Sequence, residues 1–244
     1  MTKIIKLSAT ESTNSYLREL ASKEPLDHFT VVTTDNQTQG RGQQGSSWQS
    51  EPGKNLTMSI LMKDIPFLKL EPSLLSVAVS LAVFDTLSSF VIPDLAIKWP
   101  NDILSDHKKI CGILIENIFP NKAIMNAIVG IGINVNQTAF DALPQASSLL
   151  VLTGRIFSVD EILQRLVKSL KDYHKLFLNN QKQTLISAYE AKLFRRNKPS
   201  TFKDKNGLLF TGIIQGITPD GKLRVMTENK LEKWFYHKEV TLLY

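Results

Sequence analysis

Lys98-Trp99-Pro100-Asn101-Asp102, followed by the polar run Ser105-Asp106-His107-Lys108 and then Lys109-Ile110-Cys111-Gly112-Ile113-Leu114, is the stretch that decides how this chain is read. Pro100 biases Trp99 toward extended backbone, so Lys98 and Asp102 flank a tight strand-to-strand corner. Asn101 and Asp102 can then present an amide and a carboxylate to a cleft. A single carboxylate oxygen is enough to hold Mg²⁺ in a nucleotide site, which makes Asp102 the candidate metal contact. Lys109 stands at the mouth of an apolar strand, where an ammonium can stabilise developing negative charge. The same residues also describe a β-hairpin with ordinary turn charges, and that is the commoner case.

Upstream lies a second polar segment, Gly40-Arg41-Gly42-Gln43-Gln44-Gly45-Ser46-Ser47-Trp48. Its Gly40-x-Gly42-x-x-Gly45 spacing matches the dinucleotide-binding pattern, but that pattern needs a helix opening at the loop. Here the chain runs on through Gln49-Ser50-Glu51-Pro52-Gly53, which is no helix, and Gly53-Lys54-Asn55 lacks the hydroxyl residue of a Walker loop. A glycine loop without a helix can still bind anions through a nest of backbone N–H groups. Arg41 adds a planar fork suited to phosphate or carboxylate, and Trp48 offers a plate for a base. A surface loop whose Trp plugs the core fits the loop equally well.

Around these segments the pattern is that of a mixed α+β chain. Lys3 to Ser8 reads as an edge strand, and Ser12-Thr13 as the cap of a helix through about Ser22. Strands are expected over 29–34, 55–62, 95–99, 102–104, 109–116 and 127–135, and a long apolar helix over 70–90. Ser158-x-x-Glu161 is a capping box opening a helix to about Leu178, and Gln183 to Phe194 is a last helix. Beyond Asn197 short β runs are split by Lys205-Asn206-Gly207, Pro219-Asp220-Gly221 and Glu228-Asn229-Lys230, the texture of a small antiparallel barrel. A boundary is placed near 190–197, dividing the chain into 1–192 and 193–244.

Bulk properties narrow the function. The net charge of +6 is confined to the tail: 11 Lys/Arg stand against 5 Asp/Glu from Ala191 to Tyr244, while the first 190 residues carry 18 of each. That fits an acidic partner, protein or nucleic acid, as well as it fits solvated lysines. One cysteine, Cys111, excludes a disulfide framework and a Cys-based zinc site, and it reads as a buried small hydrophobe. No apolar run has the length that crosses a membrane, Met1 to Thr10 carries no signal peptide, and the reducing cytoplasm is the expected home. His28, His107, His174 and His237 show no metal or triad spacing, and none is given a role.

Five segments, in order, resemble the biotin protein ligase family. They are Glu11-Ser12-Thr13-Asn14; Gln37-Thr38-Gln39-Gly40-Arg41-Gly42 with Trp48; Lys98-Trp99-Pro100-Asn101-Asp102; Lys109-Ile110-Cys111-Gly112-Ile113-Leu114; and Gly130-Ile131-Gly132-Ile133-Asn134. The resemblance implies an α+β, mixed-sheet catalytic domain of the biotin/lipoate ligase type with a small C-terminal SH3-like β-barrel. It implies an ATP-dependent ligase that makes biotinyl-5′-AMP from biotin and ATP with Mg²⁺. The biotin then passes to one lysine of a biotin carboxyl carrier protein.

The roles it implies fall on matching positions. Ser12, Thr13, Asn14 and Gln37 resemble contacts to the ring end of biotin. Arg41, Gly42 and Gln43 are similar to the loop that orders around the carboxylate and phosphate, and Gly112 to a further biotin contact. Lys109 resembles the cation at the reacting groups, with Arg41 and Asp102 completing the catalytic set. Gly40, Gly45, Trp48, Lys98, Asn101, Asp102 and Asn134 resemble the ATP site, with Trp48 over adenine and Asn134 as its amide partner. Two departures stand out. The family loop often carries more Arg where this chain has Gln43, Gln44 and Ser46, which implies faster escape of the adenylate. The Ser-Thr-Asn segment begins at residue 12, so no DNA-binding domain and no repressor role are expected. Self-association as a homodimer is left open. A lipoate or octanoate ligase, or a non-catalytic ligand- or nucleic-acid-binding module, is the competing reading.

Overall fold

The parallel pairing of β1 (Ile4–Thr10) with β2 (Val31–Gln37) requires a crossover, and α1 (Thr13–Lys23) supplies it. Ser12 starts that helix, its Oγ accepting the Ser15 N–H at 3.4 Å. The remaining strands of the sheet are β3 (Leu56–Met62), β4 (Ala96–Lys98), β5 (Asp102–Ser105), β6 (Lys108–Ile118) and β7 (Asn126–Ile133). They join antiparallel in the order β1-β2-β3-β7-β6-β5-β4. The computed structural model describes residues 2–63, 65, 72–118, 126–140, 143–179 and 181–244.

Period-two alternation gives the sheet two different faces. Leu56, Met58 and Ile60 of β3, with Val129, Ile131 and Ile133 of β7, enter the main core. Against them packs α2 (Pro72–Ser88), whose Leu74, Leu75, Val79, Leu81, Val83 and Leu87 leave it apolar on every side. Such a helix has to be covered, and α4 (Val159–Leu178) and α5 (Lys182–Ala191) cover it. Ser158 caps α4, accepting the Glu161 N–H at 3.2 Å. The opposite face carries Leu61 and Ile128, packed with Leu17 of α1 and with Val32 of β2. Beyond that small cluster the rows of this face that run across β3, β7 and β6 carry Thr57, Ser59, Gly112, Gly130, Gly132 and Glu116, with Leu114 among them, which leaves room for a site.

After α5 the chain adds a row to the edge of β4: Ile97 N–H donates to Lys192 O and Phe194 N–H to Ile97 O, both at 2.8 Å. It then forms β8 (Pro199–Asp204), β9 (Leu209–Ile217), β10 (Leu223–Thr227), β11 (Glu232–Phe235) and β12 (Val240–Leu243). These make a five-stranded antiparallel sheet ordered β11-β10-β9-β8-β12, the small C-terminal β unit expected from the turn spacing. It is tied to the larger sheet. Phe202, Ile214, Leu223 and Val225 join the main core, Trp99 Nε1 donates to Gly221 O at 2.9 Å, and Glu190 accepts the Ile217 N–H at 2.9 Å.

Three details differ from the sequence expectations. α3 (Leu149–Thr153) was not anticipated: five residues are too short to show a helical period, although Ser148 caps its start and Gly154, at φ 69°, its end. The last helix stops at Ala191 because residues 192–194 pair with β4 instead. The expected helix over 70–90 is α2 at 72–88, with 70 and 71 outside the described residues. Among the described residues no helix is long and apolar enough to cross a membrane.

Candidate active site

The register of four strands builds a groove on the face that α1 covers only in part. Thr57 of β3, Gly132 of β7, Gly112 of β6 and Asp102 of β5 lie side by side. One step along lie Ser59, Gly130 and Leu114, and a further step along lie Leu61, Ile128 and Glu116. Glycines inside paired strands mark a close approach by something else. Here they floor a cavity of about 220 Å³.

One end of the groove is a polar recess. Gln37 Oε1 accepts the Thr13 N–H at 2.9 Å; Ser59 Oγ lies 2.7 Å from Thr13 Oγ1 and donates to Asn14 Oδ1 at 2.5 Å. Asn14 Nδ2 donates to Glu116 Oε2 at 2.7 Å. Glu116 also receives Arg18 at 3.1 Å and Arg41 at 3.3 Å, and Arg41 donates to Ser15 Oγ at 3.0 Å. Two residues of α1 and the arginine of the glycine loop thus meet at one carboxylate on β6.

The other end is a cation–carboxylate pair. Lys109 Nζ lies 2.6 Å from Asp102 Oδ1. Asn101 is held by a reciprocal contact with β6, its Nδ2 donating to Ile113 O at 2.5 Å and the Ile113 N–H to its carbonyl at 3.2 Å. The Trp48 indole lies over the glycine floor at this end, 2.9 Å from where a Cβ on Gly112 would stand and overlapping one on Gly132. Lys109 Nζ is 5.7 Å from the same ring. Cys111, on the core side of β6, is buried, and burial pushes its thiol up despite the nearby Lys109, which leaves it protonated and inert.

The glycine loop is closed on itself. Gly42 N–H donates to Ser46 O at 2.7 Å and Trp48 N–H to Gly40 O at 2.9 Å, around a single 3₁₀ turn at Gln43–Gly45. The Gly42, Ser46 and Trp48 N–H groups, which one of the two readings of this loop would leave open for an anion, are therefore spent inside a small hairpin. Gly40 permits that closure, since a Cβ there would overlap Trp48 O, and Gly45 turns it at φ 84°.

Of the residues singled out from the sequence, the cavity brings together Ser12, Thr13, Asn14, Gln37, Arg41, Gly42, Gln43, Trp48, Asn101, Asp102, Lys109 and Gly112. Gly40 and Gly45 shape the loop outside its lining. Lys98 points instead at Tyr244, 3.2 Å from its hydroxyl, and lines a neighbouring cavity of about 170 Å³. Asn134 is buried and does not line the groove; its Nδ2 donates to Ser147 O at 3.0 Å and its Oδ1 has no partner.

Residues not anticipated are Ser59, Glu116, His237 and Lys238. Glu116 had a readable signal, since it shares a strand face with Gly112 and Leu114 at steps of two. His237 and Lys238 come from the barrel, more than a hundred residues from their neighbours in the wall, and had none. His237 is held below the ordinary imidazole value by burial and by Lys238, with Asp102 pulling the other way.

A mixed sheet with a glycine-floored groove beneath a helix N-terminus, joined to a small antiparallel β unit, defines a ligase of the biotin/lipoate type. The chain belongs to the biotin/lipoate A/B protein ligase family, whose pattern it matches over residues 7–134. It is 30% identical over 241 residues to the bifunctional ligase/repressor BirA of Bacillus subtilis, spanning 97% of this chain and 72% of that one. It is 28% identical to the biotin–[acetyl-CoA-carboxylase] ligase of Mycobacterium tuberculosis over 89% of this chain and 80% of the relative. Its structure is similar to that of a biotin protein ligase from Aquifex aeolicus in complex with biotin and ATP, with a TM-score of 0.82, 26% identity, and 100% and 99% of the two chains covered.

Proposed function

We propose that this enzyme attaches biotin to a lysine of a biotin carboxyl carrier protein in two steps, through biotinyl-5′-AMP. In the first, a carboxylate oxygen of biotin attacks the α-phosphorus of ATP, a new O–P bond forms, and the α–β bond breaks to release pyrophosphate. In the second, the carrier amine attacks the acyl carbon and AMP leaves. The observation that carries the reading is the groove's polarity: a hydrogen-bonding recess at Thr13, Asn14, Gln37 and Ser59, and an ammonium, Lys109, paired with Asp102 at the other end.

The recess suits the ureido group, which both donates and accepts hydrogen bonds. Ser12 and Asn14 close it on the α1 side. Lys109 neutralises the two anions as they meet, and Arg41 joins it by exchanging Glu116 for the carboxylate and α-phosphate, with the Gly42–Gln43 backbone. For that the loop hairpin has to reopen, freeing its N–H groups, and Trp48 has to leave the floor and lie over adenine. Closure then protects the mixed anhydride from water. The partnerless Asn134 Oδ1 would accept from a base amine only after the groove opens toward it, since the residue is buried outside the lining. Asn101 and Asp102 face the nucleotide.

For Mg²⁺ the donor set fits the mode in which one carboxylate, Asp102, assists while triphosphate oxygens and water supply the rest. Among the described residues there is no cluster of three His, Cys, Asp or Glu side chains to form a cage. The bound ion would offset phosphate charge. In this division of labour residues 1–192 carry the chemistry, and the basic 193–244 unit docks an acidic carrier.

The family also holds lipoate ligases, and the recess favours biotin over them. A dithiolane or alkyl tail forms no hydrogen bonds with Thr13, Asn14 and Gln37 and would strip water from these polar groups without replacing it, whereas a ureido group replaces it. The test is mass spectrometry of a carrier domain incubated with enzyme, Mg²⁺ and ATP and either biotin, lipoate or octanoate. A gain of one biotinyl group, dependent on ATP, is expected; acylation by lipoate or octanoate instead would overturn the assignment.

A further inference from the structure

Glu116 holds two arginines at once. Helical spacing puts Asn14 and Arg18 on one face of α1, four residues apart, and both reach the Glu116 carboxylate on β6. Oε1 lies 3.1 Å from Arg18, while Oε2 accepts the Asn14 amide at 2.7 Å and Arg41 at 3.3 Å. Arg41 is thus the most distant of the three partners and shares its oxygen with a shorter hydrogen bond. Arg18 and Arg41 carry like charges on either side of one carboxylate, so each weakens the hold on the other.

Arg41 is also the side chain that ties the glycine-loop hairpin to the body of the domain. Its backbone is bridged to Ser47 within the hairpin, and its guanidinium reaches Ser15 Oγ at 3.0 Å as well as Glu116. No other charged residue lies between Gly40 and Trp48. The same hairpin ends in Trp48, which rests on the groove floor. Lifting the hairpin therefore requires Arg41 to let go of Glu116. When it does, Glu116 keeps Asn14 and Arg18, so no largely buried carboxylate is stranded, which is the expensive outcome of breaking such a pair. Arg18 is half exposed and is not among the residues that line the groove, so its influence on a ligand runs through Glu116 and Arg41.

Resting on the biotin ligase reading, we propose that Arg18 is a positioning residue that sets how readily Arg41 is released to the ligand. The Glu116–Arg41 pair is the catch of the resting loop. By sharing Glu116, Arg18 keeps that catch weak and stands ready to neutralise the carboxylate once Arg41 has moved to the ligand carboxylate and phosphate.

Two measurements test this. In the free protein, tryptic cleavage after Arg41, followed by mass spectrometry, reports how often the side chain leaves Glu116, because the protease must take the guanidinium into its own acidic pocket. Arg18→Ala should slow this cut about two- to fivefold, the range set by a partly exposed ion pair. Glu116→Gln removes the ionic hold on Arg41 while still accepting from Asn14, and should speed the cut by a similar factor. Arg18→Lys keeps the cation and should stay near the wild type. The second measurement is the dissociation constant for biotinyl-AMP, expected to rise two- to fivefold in Arg18→Ala and to fall in Glu116→Gln. With Arg41→Ala as the background the catch is gone, and neither Arg18→Ala nor Glu116→Gln should alter that constant. Equal cleavage of Arg18→Ala and wild type would overturn the proposal, as would effects on the dissociation constant that persist without Arg41, since those would come from bulk charge. A wild type that binds neither biotin nor biotinyl-AMP would sink the ligase reading instead, while the cleavage rates would still decide whether Arg18 governs the catch.

Discussion

Gly132 and Gly130 are two residues apart on one face of β7, and the structure assigns them different penalties for gaining a methyl group. Neither has a positive φ, so alanine meets no backbone strain at either site, and ordering a strand alanine costs about 0.5–1 kcal/mol less than ordering a glycine. At Gly132 the new Cβ would overlap the Trp48 indole, which sits on a loop and can move aside. Unfolding stability should therefore change by less than about 1 kcal/mol, because the lost contact and the entropy gain offset each other. Ligand binding has no such escape, since Gly132 is paired with Thr57 on one side and Gly112 on the other and the floor cannot recede. Overpacking of about 1–3 kcal/mol predicts biotin binding weaker by roughly 5- to 150-fold. At Gly130 the Cβ would fall on the Asn14 amide, which Ser59 and Glu116 hold in place. Disrupting that buried network costs about 1–3 kcal/mol and should lower the melting temperature by roughly 2–10 °C. Calorimetric titration with biotin and thermal unfolding of both variants read the two effects separately. Wild-type biotin affinity in Gly132→Ala, or a larger melting loss there than in Gly130→Ala, would refute the groove as the biotin site.

Arg41→Ala and Lys109→Ala should each lower the rate of adenylate formation by about 10²–10³-fold, as loss of a preorganised charge does; pyrophosphate exchange measures it, and a loss under tenfold counts against their roles. Gln43→Arg adds a cation to the neutral loop and should slow release of biotinyl-AMP in a chase experiment; an unchanged rate means that loop charge does not govern retention. His174 is pushed down to about 4 by burial, with His28 beside it adding to the effect. It stays neutral in the folded state while the unfolded chain takes up a proton near the ordinary value of about 6.5. Its contribution is thus fully present above that pH, falls as pH drops toward 4, and amounts to at most about 3 kcal/mol, nearer 1–2 after allowance for solvent screening. Denaturant unfolding at pH 7 and pH 4.5 should show a smaller stability difference in His174→Phe than in wild type, and an equal difference would assign the acid sensitivity elsewhere.

Local signals fixed most of the frame. Pro100 and the polar run at 105–108 correctly bracket β5, the Ser12 and Ser158 caps mark two helix starts, and the glycine spacing of 112, 130 and 132 sits in strands whose alternation is plain. What stayed hidden depends on register and on distance along the chain. That Gly112 stands between Gly132 and Asp102 is a property of pairing, not of any one segment. Lys98 belongs to the most specific motif and pairs with Asp102 on the groove side of the sheet, yet its ammonium reaches Tyr244 at the chain's end instead of the groove, a contact made by a residue far along the chain. His237 was set aside for lack of a spaced partner, and its neighbours in the wall are brought there only by docking of the barrel on Trp99.

The same register also orients the ligand. From Gly112 to Glu116 is four residues along β6, about 14 Å of strand at ~3.4 Å per residue. The recess end terminates in a carboxylate that Asn14, Arg18 and Arg41 already share, and α1 closes it. A ligand anion placed there would have to displace Glu116 from Asn14, Arg18 and Arg41, which already satisfy it. Turned the other way, the ring end meets hydrogen-bonding groups and the anionic end meets Lys109, so one orientation satisfies both ends and the reverse satisfies neither. On the proposed reading, with the carboxylate beside Lys109 and Asp102, the recess behind it closed by α1 and the core beneath, the open approach for a nucleotide is over the floor that Trp48 covers. The order of the groove, polar recess and then lysine–carboxylate pair, is therefore written in the side-by-side pairing of Glu116, Gly112 and Asp102 with their neighbours, and it is this order that the proposed ligand orientation follows.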